Sequence, residues 1–79
     1  MTRMLVKSET FVVEGRTYPV RYFELRRPSE HRRFSAEILL GPDDRIILDD
    51  DSVVHLEARA MRLVPATIYS RLLARVTAA

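Results

Sequence analysis

Residues 32–48 read Arg-Arg-Phe-Ser-Ala-Glu-Ile-Leu-Leu-Gly-Pro-Asp-Asp-Arg-Ile-Ile-Leu. Phe34, Ala36, Ile38 and Leu40 recur at every second position, while Arg33, Ser35 and Glu37 fill the positions between them. That period of two is the signature of a strand with one buried and one wet face. Gly41-Pro42-Asp43-Asp44 follows, with proline at the second turn position and acids after it, as a type I turn prefers. Arg45-Ile46-Ile47-Leu48 then makes a short return strand. A strand, a tight turn and a second strand predict an antiparallel pair, and the rest of the chain has to be placed around it.

Upstream, residues 5–14 and 17–26 are rich in Val, Thr, Phe and Tyr, and Glu14-Gly15 between them is a hairpin signal. Alternation places Tyr18, Val20 and Tyr22 on one face of the second strand and Arg21, Phe23 and Leu25 on the other. Pro19 has no N–H to give, which favours an edge position or a strand start. Pro28-Ser29-Glu30 marks the next turn. Short connections make sequential strands pair, so the front of the chain predicts a four-stranded antiparallel meander.

Downstream, the period changes. Asp51 or Ser52 can cap a helix, and Val53, Leu56, Ala60, Leu63 and Val64 recur at helical spacing, with Arg59 and Arg62 on the opposite side. Pro65 interrupts. On a helical projection the first apolar face lies roughly 130° from that of Ile68, Tyr69, Leu72, Leu73 and Val76. The offset favours two helices, about 52–63 and 65–77, with Pro65 opening the second; one kinked helix is the alternative. The expected fold is therefore a single α+β domain, a meander followed by one or two C-terminal helices packed on one sheet face.

Seventy-nine residues without cysteine exclude a disulfide scaffold, a thiolate metal site and a cysteine nucleophile. No apolar run approaches a membrane span, and Lys7 interrupts the N-terminal stretch before a signal-peptide core can form. A cytoplasmic, soluble protein is expected. A core this small leaves a thin stability margin, and a second copy is one remedy. The second-helix stripe of Ile68, Tyr69, Leu72, Leu73 and Val76 is the expected dimer or partner interface. The first functional expectation is accordingly a non-catalytic protein acting through protein–protein contact as a homodimer.

Charge supports a second expectation. The net charge of +2 hides basic ends and an acidic middle, and twelve of the thirteen basic residues are arginine. Arg21, Arg26, Arg27, Arg32 and Arg33 stand beside aromatics on two adjacent strands and their loop, an arrangement nucleic-acid binders use for phosphates and stacked bases. The plainer account makes the aromatics core and the arginines a solvated rim. Asp43, Asp44, Asp49, Asp50 and Asp51 could gather around Mg²⁺, but a turn and a helix cap select aspartate for local reasons, and no metal or cofactor is expected. His31 and His55 form no ligand pair, and glycine-rich phosphate loops and nucleophile elbows are absent.

Overall fold

A computed structural model of the chain describes residues 2–26 and 32–77. It holds four strands, β1 (Thr2–Val13), β2 (Arg16–Arg26), β3 (Arg33–Gly41) and β4 (Asp44–Asp50), then one helix, α1 (Val53–Thr77). The sheet order is β1-β2-β3-β4 with every neighbour antiparallel, the expected meander. The expected turn at Pro28-Ser29-Glu30 lies outside the described residues, as do Arg27 and His31.

The first hairpin closes in two residues. Val13 pairs with Arg16, and Glu14 and Gly15 take φ of 53° and 75°. A two-residue turn left-handed at both positions matches the twist of its strands, which is why glycine is favoured in it. A Cβ on Gly15 would meet nothing within 4 Å, so the cost of Gly15→Ala is conformational alone. That variant is expected to lose about 1 kcal/mol in chemical denaturation; an unchanged midpoint would mean the turn tolerates side chains in this conformation.

Pro19 stands in an inner strand rather than at an edge. Its position is tolerated because β2 pairs with β3 only from Val20 onward, so beside Pro19 the β3 side needs no donor. Between Leu5 and Lys7 the β1–β2 register slips. The slip puts Lys7, Glu9, Phe11 and Val13 on the helix side with Tyr22, Val20, Tyr18 and Arg16, while Arg3 and Leu5 stay on the outer side with Leu25 and Phe23.

Tyr18, Val20 and Tyr22 of β2 and Ala36 and Ile38 of β3 form the sheet's contribution to the core, as alternation predicts. Leu56, Ala60, Val64 and Ile68 cover them, with Phe11, Phe34, Leu40, Ile46, Leu48 and Leu72 packed around the margin. The helix is single: α1 runs through Pro65, so the two-helix expectation is corrected. The buried residues explain how one helix serves. Residues 56, 60, 64, 68 and 72 are spaced by four, and each step of four advances about 40° around the helix. The stripe therefore winds, by about 160° from residue 56 to residue 72, and the offset between the two apolar faces is that winding accumulated. A twisted sheet presents a surface that turns along the helix, so a winding ridge stays in contact where a flat face would lose it. Leu63, which the straight-face reading put in the core, is exposed.

The cap is Ser52, one of the two expected residues. Its hydroxyl accepts the His55 N–H at 3.4 Å, and its carbonyl accepts the first helical bond from Leu56.

Tyr22 adds a titratable group to the core. Its ring is fully buried, and its hydroxyl has no partner among the described residues. Burial raises the phenol pKa strongly, and the nearby Glu9 and Glu57 carboxylates raise it further by disfavouring the tyrosinate. A folded pKa above the unfolded value contributes stability that is complete below about pH 10 and is lost as pH rises beyond it. Spectroscopic titration is expected to show Tyr22 resisting ionisation until the chain unfolds. Tyr22→Phe is expected to flatten the alkaline loss while leaving neutral stability unchanged or about 1 kcal/mol higher; ionisation of Tyr22 in the folded protein near pH 10 would contradict this.

Candidate functional site

Strand parity sorts the expected arginine site into two groups on opposite faces. Arg21 and Arg33 lie at outward positions, on the sheet face without a helix. Arg26 has the parity of Tyr22 and reaches Met4 Sδ at 3.8 Å, while Arg32 donates to Glu24 Oε2 at 2.6 Å with its guanidinium 5.5 Å from the Phe34 ring. The Arg32 hydrogen bond holds the Glu24 carboxyl below the ordinary range. Arg27 lies outside the described residues. The four described arginines thus do not make one surface.

The helix-free face recruits two others. Arg3 of β1 and Arg45 of β4 join Arg21 and Arg33, so each strand contributes one arginine to this face. Three of them converge on Glu37, opposite Arg21 in the β2–β3 register. Arg21 Nη2 lies 2.7 Å from its carboxylate, Arg45 Nη1 3.2 Å and Arg3 Nη1 3.9 Å. Glu37 is only 4% exposed despite its outward position. Phe23 is buried beside it, with the Arg3 guanidinium 4.1 Å from the ring centroid and Arg21 at 5.8 Å. The guanidinium stems thus form a lid over a face that no helix covers. Arg33 is tied to Asp49 at 3.2 Å.

The aspartates do not assemble. Asp44 and Asp50 stand at opposite ends of β4, about 20 Å apart by strand rise, so the five cannot share one cation. Asp44 binds Arg71 at 3.2 Å. Asp50, Asp51 and His55 do bring one ligand atom each within 4.8 Å of one another. Asp50 is already engaged, however: it accepts the Asp51 N–H at 2.8 Å and the Arg59 guanidinium at 3.1 Å. Burial pushes the Asp50 carboxyl up, but these hydrogen bonds outweigh it and hold the pKa below the ordinary value. The group acts as a junction between β4 and α1, to which Arg59 adds a bond to the Asp49 carbonyl.

The expected interface stripe also divides. Ile68 is 4% exposed and Leu72 packs against the core, so both are used within the chain. Tyr69 and Leu73 are exposed, at 47% and 65%; the side chain of Val76 lies outside the description. Tyr69 and Leu73 belong to a second ridge beside the buried one, running Glu57, Met61, Pro65, Tyr69, Leu73, again in steps of four. Two members show which way it faces. Glu57 binds Lys7 of β1 at 2.7 Å, a bond that raises the lysine pKa, and the Tyr69 hydroxyl donates to Glu14 in the β1–β2 turn. The ridge therefore runs along the β1 side of the helix, and Met61 on it is 67% exposed.

That side is also the end of the sheet. β1 is an end strand of twelve residues whose outer edge meets no strand among the described residues, and Met4, Leu5, Val6 and Val12 of this strand are exposed. The molecule measures 49 × 19 × 18 Å, so this flank follows its long axis. Alternation signalled a strand here but gave no indication that it would stand at the edge, which depends on where the other three strands pair. Among the described residues no helix is long and apolar enough to cross a membrane. No protein-family model, characterised protein or solved structure matches the chain.

Proposed function

We propose that the protein is a non-catalytic interaction module whose working form is a homodimer joined along the β1 flank. The observation that carries this reading is the outer edge of the twelve-residue β1, which pairs with no strand among the described residues, together with the exposed apolar side chains of that strand. An open edge offers a row of backbone donors and acceptors, and soluble proteins ordinarily blunt or cover it. A second copy suits it in charge as well as in hydrogen bonding. Lys7 and Glu9 share one face, two residues apart. Antiparallel pairing of two β1 strands about Ser8 sets Lys7 of each chain opposite Glu9 of the other, and opposite charges across strands stabilise pairing. Met61, Tyr69 and Leu73 then line the groove above the seam.

Light scattering is expected to give the mass of two chains. Glu9→Lys puts like charges across the seam and is expected to halve the mass, as is Lys7→Glu; mixing the two variants restores complementarity and is expected to restore the dimer. A wild-type monomer at every concentration, or variants that remain dimeric, would defeat the reading.

A second reading rests on the four arginines of the helix-free face, one per strand, which present a cationic surface to a nucleic-acid backbone. Glu37 and Asp49 offset part of that charge, which is why it ranks second. It calls for binding to random-sequence DNA that falls steeply as salt rises, and for Arg21→Ala with Arg45→Ala to weaken it. No measurable binding at low salt would end it.

A further inference from the structure

At the end of the molecule away from the helix cap, the start of β2, the turn between β3 and β4, and the last turns of α1 enclose a cleft of about 480 Å³. Its charge is one-sided. Arg16, Arg71 and Arg75 line it, and Asp44 is its one acidic residue. Asp44 engages Nη2 of Arg71. The other terminal nitrogen, Nη1, is closed off from solvent and has no partner among the described residues. Leaving an N–H of a charged group buried and unmade is costly, and folded proteins ordinarily place an acceptor against it. Arg75 suits the negative end of the helix by itself. That effect does not account for Arg16, which comes from the sheet, or for an Arg71 fork half satisfied. Tyr18 and Leu72 contribute apolar wall.

We propose that this cleft binds a small amphipathic organic anion. Its carboxylate or phosphate head is held by the guanidinium groups of Arg16 and Arg75 at the side of Arg71, and its apolar body lies against Tyr18 and Leu72. The volume falls within the range of small-molecule sites, and an apolar pocket with a few convergent polar groups is their usual make-up. Guanidinium forks match both oxyanion heads in geometry. The site stands apart from the β1 seam, so it does not depend on self-association.

The test is a titration of the full chain with phenyl phosphate, benzoate, inorganic phosphate and the neutral analogue benzyl alcohol, followed by amide chemical shifts and melting temperature. Phenyl phosphate or benzoate is expected to saturate, to shift the amides of Thr17, Leu40 and Ile68, and to raise the melting temperature. Whichever of the two binds more tightly identifies the head. Arg16→Gln and Arg75→Gln, which break no ion pair among the described residues, are expected to fold as the wild type does and to weaken binding roughly tenfold or more each. Three outcomes would overturn the proposal: no saturable shift at the cleft, equal binding of inorganic phosphate and phenyl phosphate, or unchanged affinity in both variants.

Discussion

Pro65→Ala is expected to raise the melting temperature by roughly 10 °C. A proline inside a helix costs about 3 kcal/mol relative to alanine, because its ring crowds the preceding turn and its nitrogen has no hydrogen to give. Here the carbonyl left without its usual donor is that of Met61, four residues back along a helix continuous from Val53 to Thr77. Alanine also loosens the unfolded chain, which removes up to about 1 kcal/mol of the gain. The net is about 2 kcal/mol, and each kcal/mol moves the midpoint of a domain this size by about 4–8 °C. The direction separates two architectures. If Pro65 opened a second helix, its fixed φ would suit the first position, and alanine would lower the midpoint. Thermal melts followed by far-ultraviolet circular dichroism decide between them, and a drop on substitution would refute the single helix.

Why the periodicity of the sequence suggested two helices is a matter of geometry. Projection onto a wheel assumes a partner surface that is flat along the helix axis. Against such a surface, Leu56 and Leu72 point in directions too different for one helix to bury both. The partner is a twisted sheet, and its twist appears nowhere in residues 53–77; it is a property of how four strands stack. By contrast the strands were legible, because Ala36 and Ile38 alternate with Ser35 and Glu37 and a pleat needs nothing beyond its own residues. The two described hairpin turns, at Glu14-Gly15 and Pro42-Asp43, were legible for the same local reason.

The candidate surfaces were legible only in part. Alternation correctly turned Glu37 away from the helix. Its burial depends on Arg3, Arg21 and Arg45 arriving from three other strands, one of which, β1, adjoins β3 neither in sequence nor in the sheet. The same alternation, carried to the end of β2, separates Arg26 from Arg21, since five residues along a strand reverse the face. Grouping the arginines by proximity in sequence overlooked that parity. Residues 68, 69, 72 and 73 were grouped by the same habit, although a helix places 68 and 72 on one ridge and 69 and 73 on the next.

Ile68→Ala is therefore expected to act as a core mutation and not as an interface mutation. Removing a buried isoleucine side chain costs about 2–5 kcal/mol, from lost burial and the cavity left behind. Against a total stability of about 5–15 kcal/mol for a folded protein, that is a large share of what holds this chain. The neighbouring Leu73→Ala, at an exposed position, is expected to change stability by less than about 0.5 kcal/mol. Protein concentration distinguishes the two roles. A wild type that dimerises as proposed shows an unfolding midpoint that rises with concentration, because association draws on folded chains. Ile68→Ala is expected to lower the urea midpoint by the same amount at every concentration, since Val20, Ile38 and Val64, its partners in the core, belong to its own chain. Glu9→Lys is expected to do the reverse, removing the concentration dependence while leaving the dilute-limit midpoint in place. If Ile68→Ala removed the concentration dependence instead, Ile68 would have to contact a second copy. The winding ridge would then be wrong at its C-terminal end, and the stripe of Ile68, Leu72 and Leu73 would return as the seam.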